Sequence, residues 1–431
     1  MQLRGRNLPL RRTGRRNNLW RLLLWTILIV GLLWVYSLLN QGQIQRPFEP
    51  TPTPTRNPIS WAEEAKAQFA AGRLGEAALA YNRALEIDPK NVDYWVGLAR
   101  VRVFAEQYPE AFEAASSAVL AAPESAKARA IEAWAYYYLG QPDQARAAAV
   151  QAIALDNNYA PAHAYYSFIL NDAQNWDQGF REAQAALQLD PTLLESHLAM
   201  GYSNESVGSY DGAIKRYLDA LAINPNVISV YRRIALNYRA LKDYEQAILY
   251  FSKANQIDPN NIQPYLDLSR TFIQIDELGT AEQYLLSALE LEPANPNIHG
   301  RLGALYFKRK NYESAEPELR LAVEGGLYEA AAAQIVTVEP MPLDARSVEY
   351  YYTLGNLLAY YRRCGPAEAP FFLNQALNFA PDDATIRGSY DESMGICATF
   401  LAGTALPDAT PTAVRSSATA PPPAPAASPT P

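Results

Sequence analysis

Histidine and cysteine are nearly absent from this chain, with three of the first and two of the second in 431 residues. His163, His197 and His299 have no cysteine or carboxylate at zinc-ligand spacing beside them, so no metal site and no cofactor is expected. Also missing are a nucleophile elbow, a Walker loop, an HExxH pair and a dinucleotide fingerprint. The many paired acids read as solvated faces of amphipathic helices, and the chain is not expected to be an enzyme. Acid is missing from residues 1–21, which carry seven arginines; the other 410 residues hold 30 basic and 45 acidic groups. Such an acidic body gains nothing from phosphates, which argues against nucleic acid as a partner. Large apolar side chains are almost missing from 404–431, which cannot offset its ordering entropy and is expected to be disordered.

One apolar run stands out. Residues 22–39 read LLLWTILIVGLLWVYSLL, and eighteen residues at about 1.5 Å each approach the ~30 Å thickness of bilayer hydrocarbon. Trp20, Trp34 and Tyr36 lie near its ends, where amphipathic rings favour the interface. No Ala-x-Ala-like site and no lipidation cysteine follow, so a retained anchor is favoured over a cleaved leader. The expected arrangement is a basic cytoplasmic segment at 1–18, a transmembrane helix at 19–39 and a proline-rich spacer at 40–57. Arginines stay on the cytoplasmic side, which makes this a single-pass plasma membrane protein with the rest extracytoplasmic.

Beyond the spacer, Pro89, Pro123, Asn157, Pro191, Pro225, Pro259 and Pro293 recur every 34 residues. Ala84, Ala118, Ala152, Ala186, Ala220, Ala254, Ala288 and Ala322 keep step. So do Ala77, Ala111, Ala145, Gly179, Ala213, Ala247, Ala281 and Ala315. Small residues at these positions let paired helices approach closely, and proline ends the second helix of each pair. With Trp61, Gly72 and Tyr81 also in place, the pattern resembles the tetratricopeptide repeat family. That resemblance implies an all-α, right-handed superhelical solenoid of about nine helix-turn-helix repeats plus a capping helix, preceded by one transmembrane helix. Eight contiguous repeats fill 58–329, an insertion follows at 330–347, a ninth repeat at 348–383 and the cap at 384–403.

All three histidines fall on the fourth position of a repeat, where Trp61, Trp95, Tyr231 and Tyr265 also stand, and are expected to pack. Cys364 and Cys397 are separated by almost one repeat; they read either as a disulfide closing the end of the solenoid or as two unrelated buried thiols. In the resembled family the second, fifth, ninth and twelfth positions of the first helices line a concave groove. Carried over, those positions include Lys66, Phe69, Arg100, Trp134, Tyr137, Phe168, Tyr202, Arg232, Arg239, Arg270 and Phe307. Exposed Trp, Tyr and Arg make binding hot spots, while the plain alternative is packing against neighbouring repeats. The set does not reproduce the family's carboxylate clamp. The function implied is a scaffold or adaptor that binds an extended peptide or partner helix in cell-envelope assembly or secretion. The alternatives are a translocon-associated holdase and a regulatory subunit of an envelope enzyme. Docking of the tail 404–431 into the groove is a further expectation.

Overall fold

The computed structural model describes residues 19–40, 56–330 and 334–404; the segment 1–18, the linker between 41 and 55 and the tail beyond 404 lie outside the described residues. Two units are present, residues 1–60 and 61–431. The first holds α1 (Leu19–Asn40), a 22-residue helix whose described side chains are all exposed. Among the described residues no helix is long and apolar enough to cross a membrane.

The second unit is built from helix pairs. Their first helices are α2 (Pro58–Ala70), α4 (Val92–Phe104), α6 (Ala126–Tyr138), α8 (Ala160–Asp172), α10 (Leu194–Ser206), α12 (Ile228–Ala240), α14 (Ile262–Gln274) and α16 (Pro296–Lys308). Their second helices are α3 (Leu74–Ile87), α5 (Tyr108–Ala121), α7 (Pro142–Leu155), α9 (Trp176–Leu189), α11 (Tyr210–Ile223), α13 (Tyr244–Ile257), α15 (Leu278–Leu291) and α17 (Tyr312–Glu324). Within each set every helix starts 34 residues after the last.

Local chemistry fixes these boundaries. Each first helix ends at a residue in the left-handed region: Gly72, Glu106, Gly140, Gln174, Gly208, Lys242, Asp276 and Lys310, again 34 apart. Asn91, Asn261 and Asn295 open their helices by accepting a backbone N–H two residues on. The alanine ladder is fully buried between paired helices. Its exception has a cause, since a Cβ on Gly179 would lie 2.6 Å from Asn171 Oδ1.

The three histidines are buried, and the structure adds a polar role to their packing. Nε2 of His163, His197 and His299 lies 3.0, 2.9 and 2.9 Å from the carbonyl oxygens of Asn157, Pro191 and Pro293. Trp95, Arg129, Tyr231 and Tyr265 donate to the equivalent carbonyls from the same position. The fourth position therefore selects a bulky side chain with an N–H or O–H, which satisfies a carbonyl freed where the preceding second helix ends.

The pattern breaks after α17. Gly325 and Gly326 take positive φ of 72° and 147°, and the chain enters a hairpin of β1 (Gly326–Glu329) and β2 (Ile335–Val338), antiparallel with Gly326 opposite Val338. The expected all-α solenoid thus carries one small sheet, which begins before residue 330. Tyr328 packs edge-on against His299, with ring centroids 4.7 Å apart. A last pair follows, α18 (Val348–Tyr360) and α19 (Ala369–Phe379), then the longer α20 (Ala384–Thr404). Cys364, in the turn between α18 and α19, is bonded to Cys397 on α20, with Cα atoms 5.4 Å apart. Ser393 Oγ donates to Asn356 Oδ1 at 2.8 Å beside it.

Candidate functional site

The first helices form the inner face of the solenoid, and that face differs between its two ends. From α2 to α12 it closes on itself. Asn226, in the turn before α12, donates its side-chain N–H to the Ala70 carbonyl at the end of α2, 2.8 Å away across 156 residues of chain. Asn224 reaches the Phe69 carbonyl in the same way. Inside this closed turn, Arg100 on α4 forms a two-pronged ion pair with Glu195 on α10, whose side chain is 0% exposed. Burial alone works against the Arg100 charge, but the Glu195 carboxylate more than offsets it and raises the guanidinium pKa.

Six of the expected groove residues belong to this closure. Trp134 is 1% exposed, stacked on Tyr165 at 4.4 Å and edge-on to Phe104 at 5.4 Å. Phe69 and Phe168 are also buried, and the Arg100 guanidinium lies 4.5 Å over the Phe69 ring. The hydroxyls of Tyr137 and Tyr202 both donate to Asp172. Phe69, Arg100, Trp134, Tyr137, Phe168 and Tyr202 are therefore held by packing, hydrogen bonds or ion pairing between repeats. Lys66 stays exposed and pairs only locally with Glu63 at 2.8 Å. What remains inside the closed turn is a cavity of about 350 Å³, bordered by Trp134, Tyr138, Tyr217 and Arg233.

Two central helices show the consequence. Eleven of thirteen residues of α8 and nine of thirteen of α10 are buried. Their polar groups satisfy one another: Ser167 Oγ donates to the Gly179 carbonyl at 2.8 Å, and Asn171 Nδ2 to Ser203 Oγ at 2.8 Å. Only four residues of α12 are buried.

From α14 onward the inner face carries a second, larger recess. A cavity of about 730 Å³ lies between α14, α16 and α18. Arg270 and Phe307, both expected in the groove, line it, together with Gln274, Asn297, Arg301, Lys308, Arg346, Glu349, Tyr350 and Tyr352. Arg301 reaches Asn297 Oδ1 at 3.4 Å, and that same oxygen accepts the Tyr350 hydroxyl at 2.8 Å. Among the described residues neither Arg270 nor Arg301 has a carboxylate partner. Elsewhere on α14, Asp267 answers both Arg232 and Arg239. Arg301, Lys308 and Arg346 escaped the sequence reading because they sit one position off the expected groove positions or in the insertion. No three His, Cys, Asp or Glu side chains among the described residues converge on a metal-binding group.

Comparison with known proteins places the repeats. Two tetratricopeptide repeat models match, one over residues 68–135 and 238–290 and the other over 198–262 and 266–334. No curated protein matches the sequence. Among solved structures the chain is similar to that of the APC/C hetero-tetramer Cut9-Hcn1, with a TM-score of 0.54 and 14% identity over 77% of this chain and 55% of that one. A monomeric mutant of IFIT1 with Gppp-AAAA gives a TM-score of 0.50 and 15% identity over 86% of both chains. A thermophilic tetratricopeptide repeat protein of Thermus thermophilus is 22% identical over 42% of this chain and 99% of that one, with a TM-score of 0.36. The chain spans about half of the Cut9-Hcn1 partner it matches, and at these identities the likeness is one of fold. The unit is a helical solenoid of the tetratricopeptide type interrupted by one hairpin, and such repeats suggest a protein-interaction scaffold.

Proposed function

We propose that this tetratricopeptide repeat chain is a membrane-tethered adaptor that holds an extended polypeptide in the groove between α14, α16 and α18. The observation that carries the reading is the contrast along the inner face. The amino-terminal turn joins back on itself around a cavity of about 350 Å³, whereas the other end holds one of about 730 Å³ lined by Arg270 and Arg301, which form no ion pair among the described residues.

The tether is supported by α1, whose 22 residues would extend about 33 Å as a helix. Arg21 is the one charged residue in its sequence, and the apolar run continues through positions whose side chains lie outside the described residues. Arginines precede this helix, which favours a cytoplasmic amino terminus. An extracytoplasmic location for the repeats is supported by the bond between Cys364 and Cys397, because disulfides persist in oxidising compartments. Cell-envelope assembly or secretion is the setting that fits both features.

A photo-cross-linker at Arg301 in cells tests this reading. The adaptor reading predicts one partner captured stoichiometrically from Arg301 and none from Trp134, buried in the closed turn. A ladder of many unfolded chains from Arg301 would favour a holdase attached to the translocon. Adducts from Trp134 alone would overturn the placement of the groove.

A further inference from the structure

We infer that the groove between α14, α16 and α18 selects a polypeptide segment carrying several carboxylates. The inference rests on the reading above, that this groove holds a polypeptide, and adds the chemistry of the occupant.

The cavity is lined by an arginine from each of two successive first helices, Arg270 on α14 and Arg301 on α16, while Arg239 on α12 is largely buried next to Asp267, outside the lining. Arg346, just before α18, and Lys308 extend the series at the rim. Carboxylates do not keep pace. Asp267 is shared by Arg232 and Arg239, Lys308 meets Asp276 at 3.5 Å, and Arg346 meets Asp344 at 3.2 Å, the last two near the surface. Arg270 and Arg301 form no ion pair among the described residues, and Glu349 is the acid that shares the lining with them. In a chain with a net charge of −8, this is a local concentration of positive charge against the overall sign.

A second observation shows that these cations feel one another. Nη1 of Arg239 is buried without a hydrogen-bond partner. Burial lowers the pKa of its guanidinium, and after the opposing pull of Asp267 come the repulsions of Arg270, Arg232 and Arg301. Like charges within a screening length raise each other's energy, so an anion entering between them relieves a repulsion already present. It also gains forked, charge-assisted hydrogen bonds from each arginine.

Carboxylates on a peptide fit better than phosphates on a nucleic acid. The lining includes Glu349 and the side-chain amides of Gln274 and Asn297, which suit a backbone of N–H and C=O groups spaced between acidic side chains. A polyanion longer than the cavity would meet the acidic surplus of the body. The tyrosines and Phe307 cover the apolar stems of Glu or Asp side chains.

The test is fluorescence anisotropy of the full chain in detergent with labelled extended peptides of equal length. In these peptides Glu replaces Ser at none, half or all of the alternate positions. Affinity is expected to rise with the number of carboxylates and to weaken with added salt. Arg270→Gln or Arg301→Gln is expected to lower it about tenfold, equivalent to about 1.4 kcal/mol, while Lys66→Gln leaves it unchanged. Neither arginine has a carboxylate partner, so both variants are expected to fold; should one fail, the salt dependence of the unaltered chain decides. Equal affinity for acidic and neutral peptides, sensitive to Arg301→Gln, would overturn the acidic selection and leave the polypeptide groove standing. Absence of binding by every peptide, or tighter binding of an oligouridylate of matching length, would overturn both.

Discussion

The first five repeats and the three that follow are cut from the same 34-residue unit, yet their inner faces meet different ends. In the first five, Asn226 and Asn224 tie the fifth repeat back to the end of α2. The arginine on this face finds a buried glutamate, Arg100 with Glu195. In the repeats that follow, Arg270 and Arg301 line a larger cavity, where neither forms an ion pair among the described residues and Glu349 is the acid in the lining. The same positions of the repeat thus serve as core at one end and as candidate binding surface at the other. What decides is whether a later repeat returns to cover the face.

The contrast is open to direct attack. Arg100→Met leaves the Glu195 carboxylate buried without its partner, and loss of one member of such a pair costs about 3–5 kcal/mol. Arg270→Met, on the open side, is expected to stay within about 0.5 kcal/mol of the parent, as surface substitutions do. Chemical denaturation of both variants measures the difference, and equal effects would erase the distinction between the halves. Trp134→Ala is expected to cost about 3–5 kcal/mol, since a ring that is 1% exposed leaves a cavity behind. The loss should appear as accelerated hydrogen exchange across α4, α6 and α8 together, because the closed turn couples them.

Reducing the bond between Cys364 and Cys397 removes about 4 kcal/mol for a loop of this size, at the other end of the solenoid. A solenoid transmits such a loss mainly to its neighbours. Exchange should therefore quicken in α18, α19 and α20 and stay unchanged in α8 and α10. Quickening in the closed turn would show that the two ends are not independent.

The smallest effect concerns His163, whose pKa is raised by its hydrogen bond to Glu182, against the opposing effect of burial. A raised folded pKa means that this contribution is full below the ordinary histidine value of 6.5 and fades as pH rises through the folded value. Stability followed upward from pH 5 should lose a small increment that Glu182→Gln removes. An unchanged slope in Glu182→Gln would assign the pH dependence elsewhere.

Much of this architecture was legible because the repeat is local. Helix starts, the alanine ladder and the histidines at the fourth position follow from residues within one or two repeats of each other. Even the donor role of the fourth position was present in the sequence, since Trp95, Arg129, His163, Tyr231 and Tyr265 share an N–H or O–H. The closure was not legible. It depends on how far each repeat rotates on the last, and it joins Ala70 to Asn226 across 156 residues. One trace of it exists in α8, whose APAHAYYSFILND is nearly free of charge and rich in small residues, as suits a helix covered on all sides. The hairpin was half visible: Gly325 and Gly326 marked the end of α17, but the short strands that follow offer too few alternations to be read as a sheet.

The central claim is that the amino-terminal inner face stays closed while the carboxy-terminal groove binds. Cysteines placed at Ala70 and Asn226 and bridged by a short thiol cross-linker would lock the closed turn. The account predicts that the locked chain binds the fully acidic peptide with the affinity of the unlocked one. Loss of binding on locking would contradict it, because the amino-terminal face would then have to open for function.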